Sequence, residues 1–227
     1  MRRDPLSASL LIAGSLAIVL VMSHHPTGAA IMDAEHAEWH AGLSAIVHGA
    51  AIVAIAVLVM GFVGVSRGLG FSATPVAALV AYGLGAVAGV SAAVVSGFVA
   101  PEVILRAMAA EGPAAAETFD ALRAFSWMLN QGFAKVHVVA SSVAVVLWSV
   151  ALLRVGRPER AAGVAGILVG LVTLVVFFAG AVQLDVAGFG AIMFAQAAWG
   201  IWLGVVLLRE GGARGRPVVE SEIEAQN

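Results

Sequence analysis

The chain has 227 residues, of which 61% are hydrophobic and only 11% charged, with a net charge of -2 and a mean hydropathy of +0.99. Soluble domains are about 45–50% apolar and about 25% charged, so this composition excludes a soluble globular enzyme and a disordered chain. The slight negative charge excludes a basic nucleic-acid binder. There are no cysteines, which removes disulfides, thiolate metal sites, iron–sulfur clusters and thiol nucleophiles. Any metal or haem must therefore be held by His, Met, Asp or Glu. The fold class that fits is an all-α, polytopic membrane protein in contact with lipid.

Six apolar segments follow one another, at about residues 6–22, 39–65, 71–100, 124–153, 161–182 and 189–208. A spanning helix needs about 20 apolar residues, so these predict one bundle of six transmembrane helices over residues 1–210. The first segment lies behind Arg2 and Arg3; its alternative is a signal peptide cut near residues 27–30, and we read it as a retained span. Residues 33–67 would make a helix of roughly 50 Å against a hydrocarbon core of about 30 Å. Residues 119–154 show the same excess, so both are expected to project beyond the outer face. The stretch 101–116, broken by Gly112-Pro113, reads as a short interfacial helix on that side. Residues 211–227, with Gly211, Gly212, Glu220, Glu222 and Glu224, read as a disordered tail.

Arginines orient the bundle. With the N-terminus inside, the inner segments carry Arg2, Arg3, Arg67, Arg154, Arg157, Arg160, Arg209, Arg214 and Arg216, and the outer ones only Arg106, Arg123 and, near a helix start, Lys135. The positive-inside rule then gives an inner (bacterial-type plasma) membrane protein with both termini cytoplasmic. Gly85 and Gly89, and Gly166 and Gly170, are spaced four apart, which lets helices approach closely. A faint repeat relates Ala45-Ile46-Val47-His48 to Ala134-Lys135-Val136-His137.

All six histidines, His24, His25, His36, His40, His48 and His137, fall toward the outer face. Counted from Arg67, His48 is about 28 Å away; counted from Arg154, Lys135 lies at the same height and His137 at about 25 Å. His48 and His137 are thus expected within about 3 Å of one level. Glu102 and Asp185 end their helices on that side. The midplane offers only hydroxyls and Tyr82, with Gln196 further along, which disfavours a coupled transporter, since transport sites lie near the midplane. In the fourth helix Arg123, Asn130, His137 and Ser141 share one stripe, flanked by Gln131, Lys135 and Ser142. Such a stripe lines either an outward cavity or a polar seam between helices.

Three sites can be drawn from these residues. His48 and His137 could ligate one haem b from opposite sides. His36 and His40, spaced i, i+4, could hold a divalent metal; the segment Glu35-His36-Ala37-Glu38-Trp39-His40 lacks the His-Glu-x-x-His pattern of zinc hydrolases. His48, His137 and Asp185 or Glu102 could form a hydrolytic zinc site. The resulting expectation is an outward-facing polar, His-containing site. It belongs either to a non-catalytic membrane subunit or small-ligand or metal-binding protein, or to a redox protein with one haem or metal. Intramembrane metallohydrolase and transporter are further alternatives. Other membrane subunits or a second copy are possible partners.

Overall fold

The computed structural model describes residues 4–25 and 35–213, with side chains through 209. Arg2, Arg3, Asp33, Arg214, Arg216 and most of the expected tail lie outside the described residues. The described chain is all helix and turn, without strands. We number its helices α1 Pro5–Ser23, α2 Ala37–Gly68, α3 Ala73–Ala109, α4 Pro113–Leu152, α5 Arg157–Phe178 and α6 Val186–Ala213. All six are long and apolar enough to cross a membrane.

Two boundaries differ from the sequence expectation. The chain does not break at Pro101. Instead α3 passes through a π-helical turn, Val95–Val99, and continues to Ala109. Pro101 fits because it stands at the second position after that turn, where a missing N–H costs little. The break comes at Gly112, whose φ of 88° is a left-handed conformation open to glycine, and Pro113 then starts α4. Residues 101–116 are therefore the tip of a long helical hairpin. At the other end of the chain α6 runs on to Ala213, beyond the expected domain limit at 210.

The helices alternate in direction and close into a ring, each against the next, with α6 returning to α1. One end of the ring collects Arg67, Arg154, Arg157, Arg160 and Arg209, and the other His24, His25, His36 and His40. Glycines permit the close contacts. At Gly166 a methyl group would collide with Ser149 Oγ and lie 2.5 Å from Trp199 Nε1; at Gly170 it would lie 2.8 Å from the Ser142 carbonyl. Here α5 lies against α4 almost backbone to backbone, and the Trp199 side chain of α6 packs on Gly166.

The Arg-rich end is filled by an aromatic cluster. Phe62 stacks on Trp148 at 4.1 Å between centroids and on Trp199 at 6.0 Å, with Tyr82 tilted against Phe62 at 4.7 Å. The indole N–H groups are satisfied: Trp148 Nε1 donates to Ser66 Oγ at 2.8 Å, Ser66 Oγ donates to the Pro75 carbonyl at 3.3 Å, and Trp199 Nε1 donates to the Ala162 carbonyl at 3.0 Å. Glu159 is also fully buried at this end. It sits in the first turn of α5, where the helix N-terminus favours a carboxylate.

Gly166→Ala is expected to lower the thermal midpoint in detergent by an amount equivalent to about 1–3 kcal/mol, because its methyl overpacks a contact that cannot relax. Gly83→Ala, which meets nothing within 4 Å, should leave the midpoint unchanged or raise it. Tryptophan fluorescence during heating reads both.

Asp4 caps α1 by accepting from Leu6 N at 3.1 Å, accepts from Ser7 Oγ at 2.8 Å and pairs with Arg67 at 3.0 Å. The Ser7 hydroxyl chiefly, then the Leu6 amide and Arg67, hold its carboxyl below the ordinary 3.8 against the opposing effect of partial burial. A lowered folded-state pKa stabilises above the unfolded value and is lost as pH falls through the folded one. The midpoint difference between wild type and Asp4→Asn should therefore be present at pH 7 and vanish well below pH 3.8. Melting curves across that range check it.

Candidate functional site

Because the ring is closed and α4 and α6 meet only lightly across it, the histidine half encloses space. That space is a single cavity of about 720 Å³, within the range of small-molecule sites. Its walls come from α1, α2, α3, α4, α6 and the turn before α6, not from α5. Along α4 it runs from Asp120 to Val145, roughly 38 Å of helix, so it is elongated. Phe62, Tyr82 and Trp199 form its floor, and Trp148, fully buried, lies beneath. The mouth is at the histidine end, where Asp120 and Arg123, paired at 2.9 Å, are well exposed. Ala51, Gly89, Ala92, Ala93, Ala134 and Ala197 line the walls between. With side chains this small facing inward, the helices touch at their edges and leave the centre unfilled.

His48 and His137 both border the cavity and are each more than nine-tenths buried. His48 Nδ1 donates to the Ser44 carbonyl one turn away at 2.8 Å. The His48 ring lies edge-on to His25 at 4.8 Å between centroids. A Cβ at Gly97, in the π-helical turn, would run into the His48 Cβ, so the wide turn brings α3 against this histidine. His137 Nδ1 donates across to the Gly85 carbonyl of α3 at 2.8 Å. Its ring needs the missing side chain of Gly89, whose Cβ would lie 2.7 Å from Nδ1, and it faces Phe189 at 6.0 Å.

The two imidazoles are not level. Ile55 and His137 both border Gly89, and Ile55 is seven residues below His48, roughly 10 Å along α2. The Trp148–Ser66 hydrogen bond gives the same offset: His137 is eleven residues above Trp148, while His48 is eighteen above Ser66. The expectation of a shared height took Arg67 and Arg154 as level markers. Arg154 lies in the turn after α4, several residues below the level at which Ser66 meets that helix. Each ring is also held by its Nδ1 bond, and the His48 bond turns its ring toward Ser44, away from His137. Metal–imidazole bonds are about 2 Å, so this arrangement does not let His48 and His137 share one haem iron. The hydrolytic zinc cluster fails as well, since no group of three or more His, Asp or Glu able to hold a metal occurs among the described residues.

The other predicted residues divide. Asn130, Gln131 and Asp185 line the cavity near its mouth, and Gln131 Nε2 also donates to the Leu184 carbonyl at 3.1 Å. Ser141 is buried in the α3–α4 contact, with Oγ donating to the Val138 carbonyl at 3.3 Å. Ser142 accepts from Gln196 Nε2 at 3.1 Å. Lys135 is exposed on the outside of the ring, and Glu102 is exposed and paired with Arg106 at 2.7 Å. His36 and His40 keep their i, i+4 proximity at 6.4 Å between centroids, but at the start of α2 and outside the cavity lining. The polar stripe of α4 is thus part cavity wall (Arg123, Asn130, Gln131, His137) and part seam (Ser141, Ser142). Phe189, Met193 and Trp127 were not singled out from the sequence. Their place in the wall follows from ring closure, which no local pattern encodes.

Compared with models of protein families, with curated proteins and with solved structures, the chain matches none.

Proposed function

We propose that the chain is a multi-pass inner-membrane protein, both termini cytoplasmic, that binds a small, largely apolar ligand from the outer side without chemical turnover. One observation carries the binding reading: an elongated cavity of about 720 Å³, walled largely by apolar residues, with its charged groups at the mouth and two buried histidines on its wall. Sites of this kind, mostly apolar with a few placed polar groups, are the common form of small-molecule pocket. The closed aromatic floor argues for a cup rather than a conduit. The orientation rests on the gathering of Arg67, Arg154, Arg157, Arg160 and Arg209 at the sealed end.

Because the chain has no cysteine, single cysteines report orientation directly. In intact spheroplasts a membrane-impermeant maleimide should label Glu111→Cys, at the histidine end, and spare Ser72→Cys, at the arginine end, until the cells are lysed. The reverse pattern overturns the orientation.

The cavity is tested with 1-aminoanthracene, a neutral apolar fluorophore. It should bind saturably at one per chain, and Ala197→Phe or Ala51→Phe, each adding a ring into the cavity, should weaken binding at least tenfold while leaving the helical content unchanged. Non-saturable uptake equal in wild type and both variants overturns the cavity as a binding site.

A further inference from the structure

His48 and His137 offer the cavity the same chemistry. In each ring Nδ1 faces a backbone carbonyl, of Ser44 and Gly85 respectively. A carbonyl can only accept, so Nδ1 carries the proton and Nε2 of the neutral ring presents a lone pair. Neither Nε2 has a hydrogen-bond partner among the described residues, although both rings are more than nine-tenths buried and border the cavity. Each Nε2 can therefore accept a hydrogen bond from what occupies the cavity, whether water or a ligand that donates.

The charges along the wall narrow the ligand further. Asp120, Arg123 and Asp185 stand at the mouth, and below them the lining holds no Asp, Glu, Lys or Arg. A charged group carried down to His137 would be left unpaired in an apolar space. An alkylamine is charged at neutral pH and would arrive there without a counter-charge. A hydroxyl on a long hydrocarbon frame meets the acceptor, the apolar walls and the elongated shape together.

We propose that the ligand is an uncharged, elongated hydrocarbon molecule bearing a hydroxyl, of the alkylphenol, quinol or long-chain alcohol class, whose O–H donates to Nε2 of His137. His48, roughly 10 Å nearer the mouth, supplies a second acceptor of the same kind. The inference rests on the binding role proposed above and adds to it the donor chemistry of the ligand.

The test compares 4-octylphenol with 4-octylanisole, its methyl ether, as competitors of 1-aminoanthracene on the full chain in detergent. The two probes share a frame and differ in the O–H. The phenol should bind about tenfold tighter, one good buried hydrogen bond. In His137→Ala the preference should fall below about twofold while the ether binds as before, which also shows that the cavity is intact. His137→Phe, which keeps a ring against Phe189, serves if the alanine variant does not fold. Equal binding of phenol and ether by wild type overturns the hydroxyl donor and leaves the cavity. Failure of both to compete overturns the cavity reading itself. A Soret band in the purified protein that disappears in His137→Ala also overturns the inference, because Nε2 would then ligate iron instead of accepting a proton.

Discussion

The contact on which most of this architecture depends is the seating of Trp148. Its ring lies flat against Phe62 and its N–H donates to Ser66 Oγ, itself bonded to the Pro75 carbonyl. One side chain of α4 therefore fixes its height against α2 and against the start of α3. A buried indole without a partner for its N–H would be costly, and sliding α4 by a turn would break the Trp148–Ser66 bond and the stacking on Phe62 at once. Two features of the site follow from this register. The cavity is closed below, since Phe62 and Tyr82 lie against that indole and Trp199 lies against Phe62. The histidines of α2 and α4 also fall at different heights, because the anchored residues are eighteen and eleven positions from them.

Above the anchor, the ring changes character. At the arginine end glycines such as Gly166 and Gly170 let α5 press against α4, and large side chains fill the centre. Toward the histidine end small residues such as Ala51, Gly89, Ala134 and Ala197 stand among larger ones such as Met22, Phe189 and Met193, which line the wall without filling the centre. The void is therefore a consequence of residue size at inward positions, with the helices themselves still in contact around it. The two glycines facing the histidines have a different use: Gly89 and Gly97 make room for an imidazole, and the π-helical turn around Gly97 brings α3 close to His48. Such turns inside helices occur often at functional positions because they widen the helix locally.

Six apolar segments, their limits to within about five residues except at the hairpin tip, and the gathering of arginines at one end were legible from hydropathy and charge, because those signals are carried by runs of residues. The hairpin tip was less so: Pro101 and Gly112-Pro113 are both breakers on paper, and only the π-helical turn decides that α3 passes the first and stops before the second. The polar stripe of α4 was visible at helical spacing, but periodicity shows which residues share a face, not what that face meets. His137 and Ser141 lie one turn apart, yet one borders a cavity and the other a neighbouring backbone. The heights of His48 and His137 were misjudged because depth was counted from Arg67 and Arg154, whose relative level depends on the Trp148–Ser66 bond. The match between residues 45–48 and 134–137 likewise did not extend to geometry, since His48 bonds its own helix and His137 a neighbouring one.

The same geometry weighs binding against transport and against electron transfer. A transported solute would have to pass Phe62, Trp148, Trp199 and Tyr82, which pack on one another and are tied to α2 and α5 by two indole hydrogen bonds, so all would have to move together. A proton path needs ionisable groups in series, and between His137 and the aromatic floor the wall offers only Gln196, hydroxyls such as Ser15 and apolar side chains. Electron transfer through two axial imidazoles needs them on opposite sides of one metal, which the offset between α2 and α4 prevents. A cup needs none of these. Its mouth requires polar groups that tolerate water, its walls require only small apolar residues, and its specificity can rest on a lone pair held in one direction. The Nδ1 bond to Gly85 holds the His137 Nε2 lone pair in that way, and it depends on the absence of a side chain at Gly89.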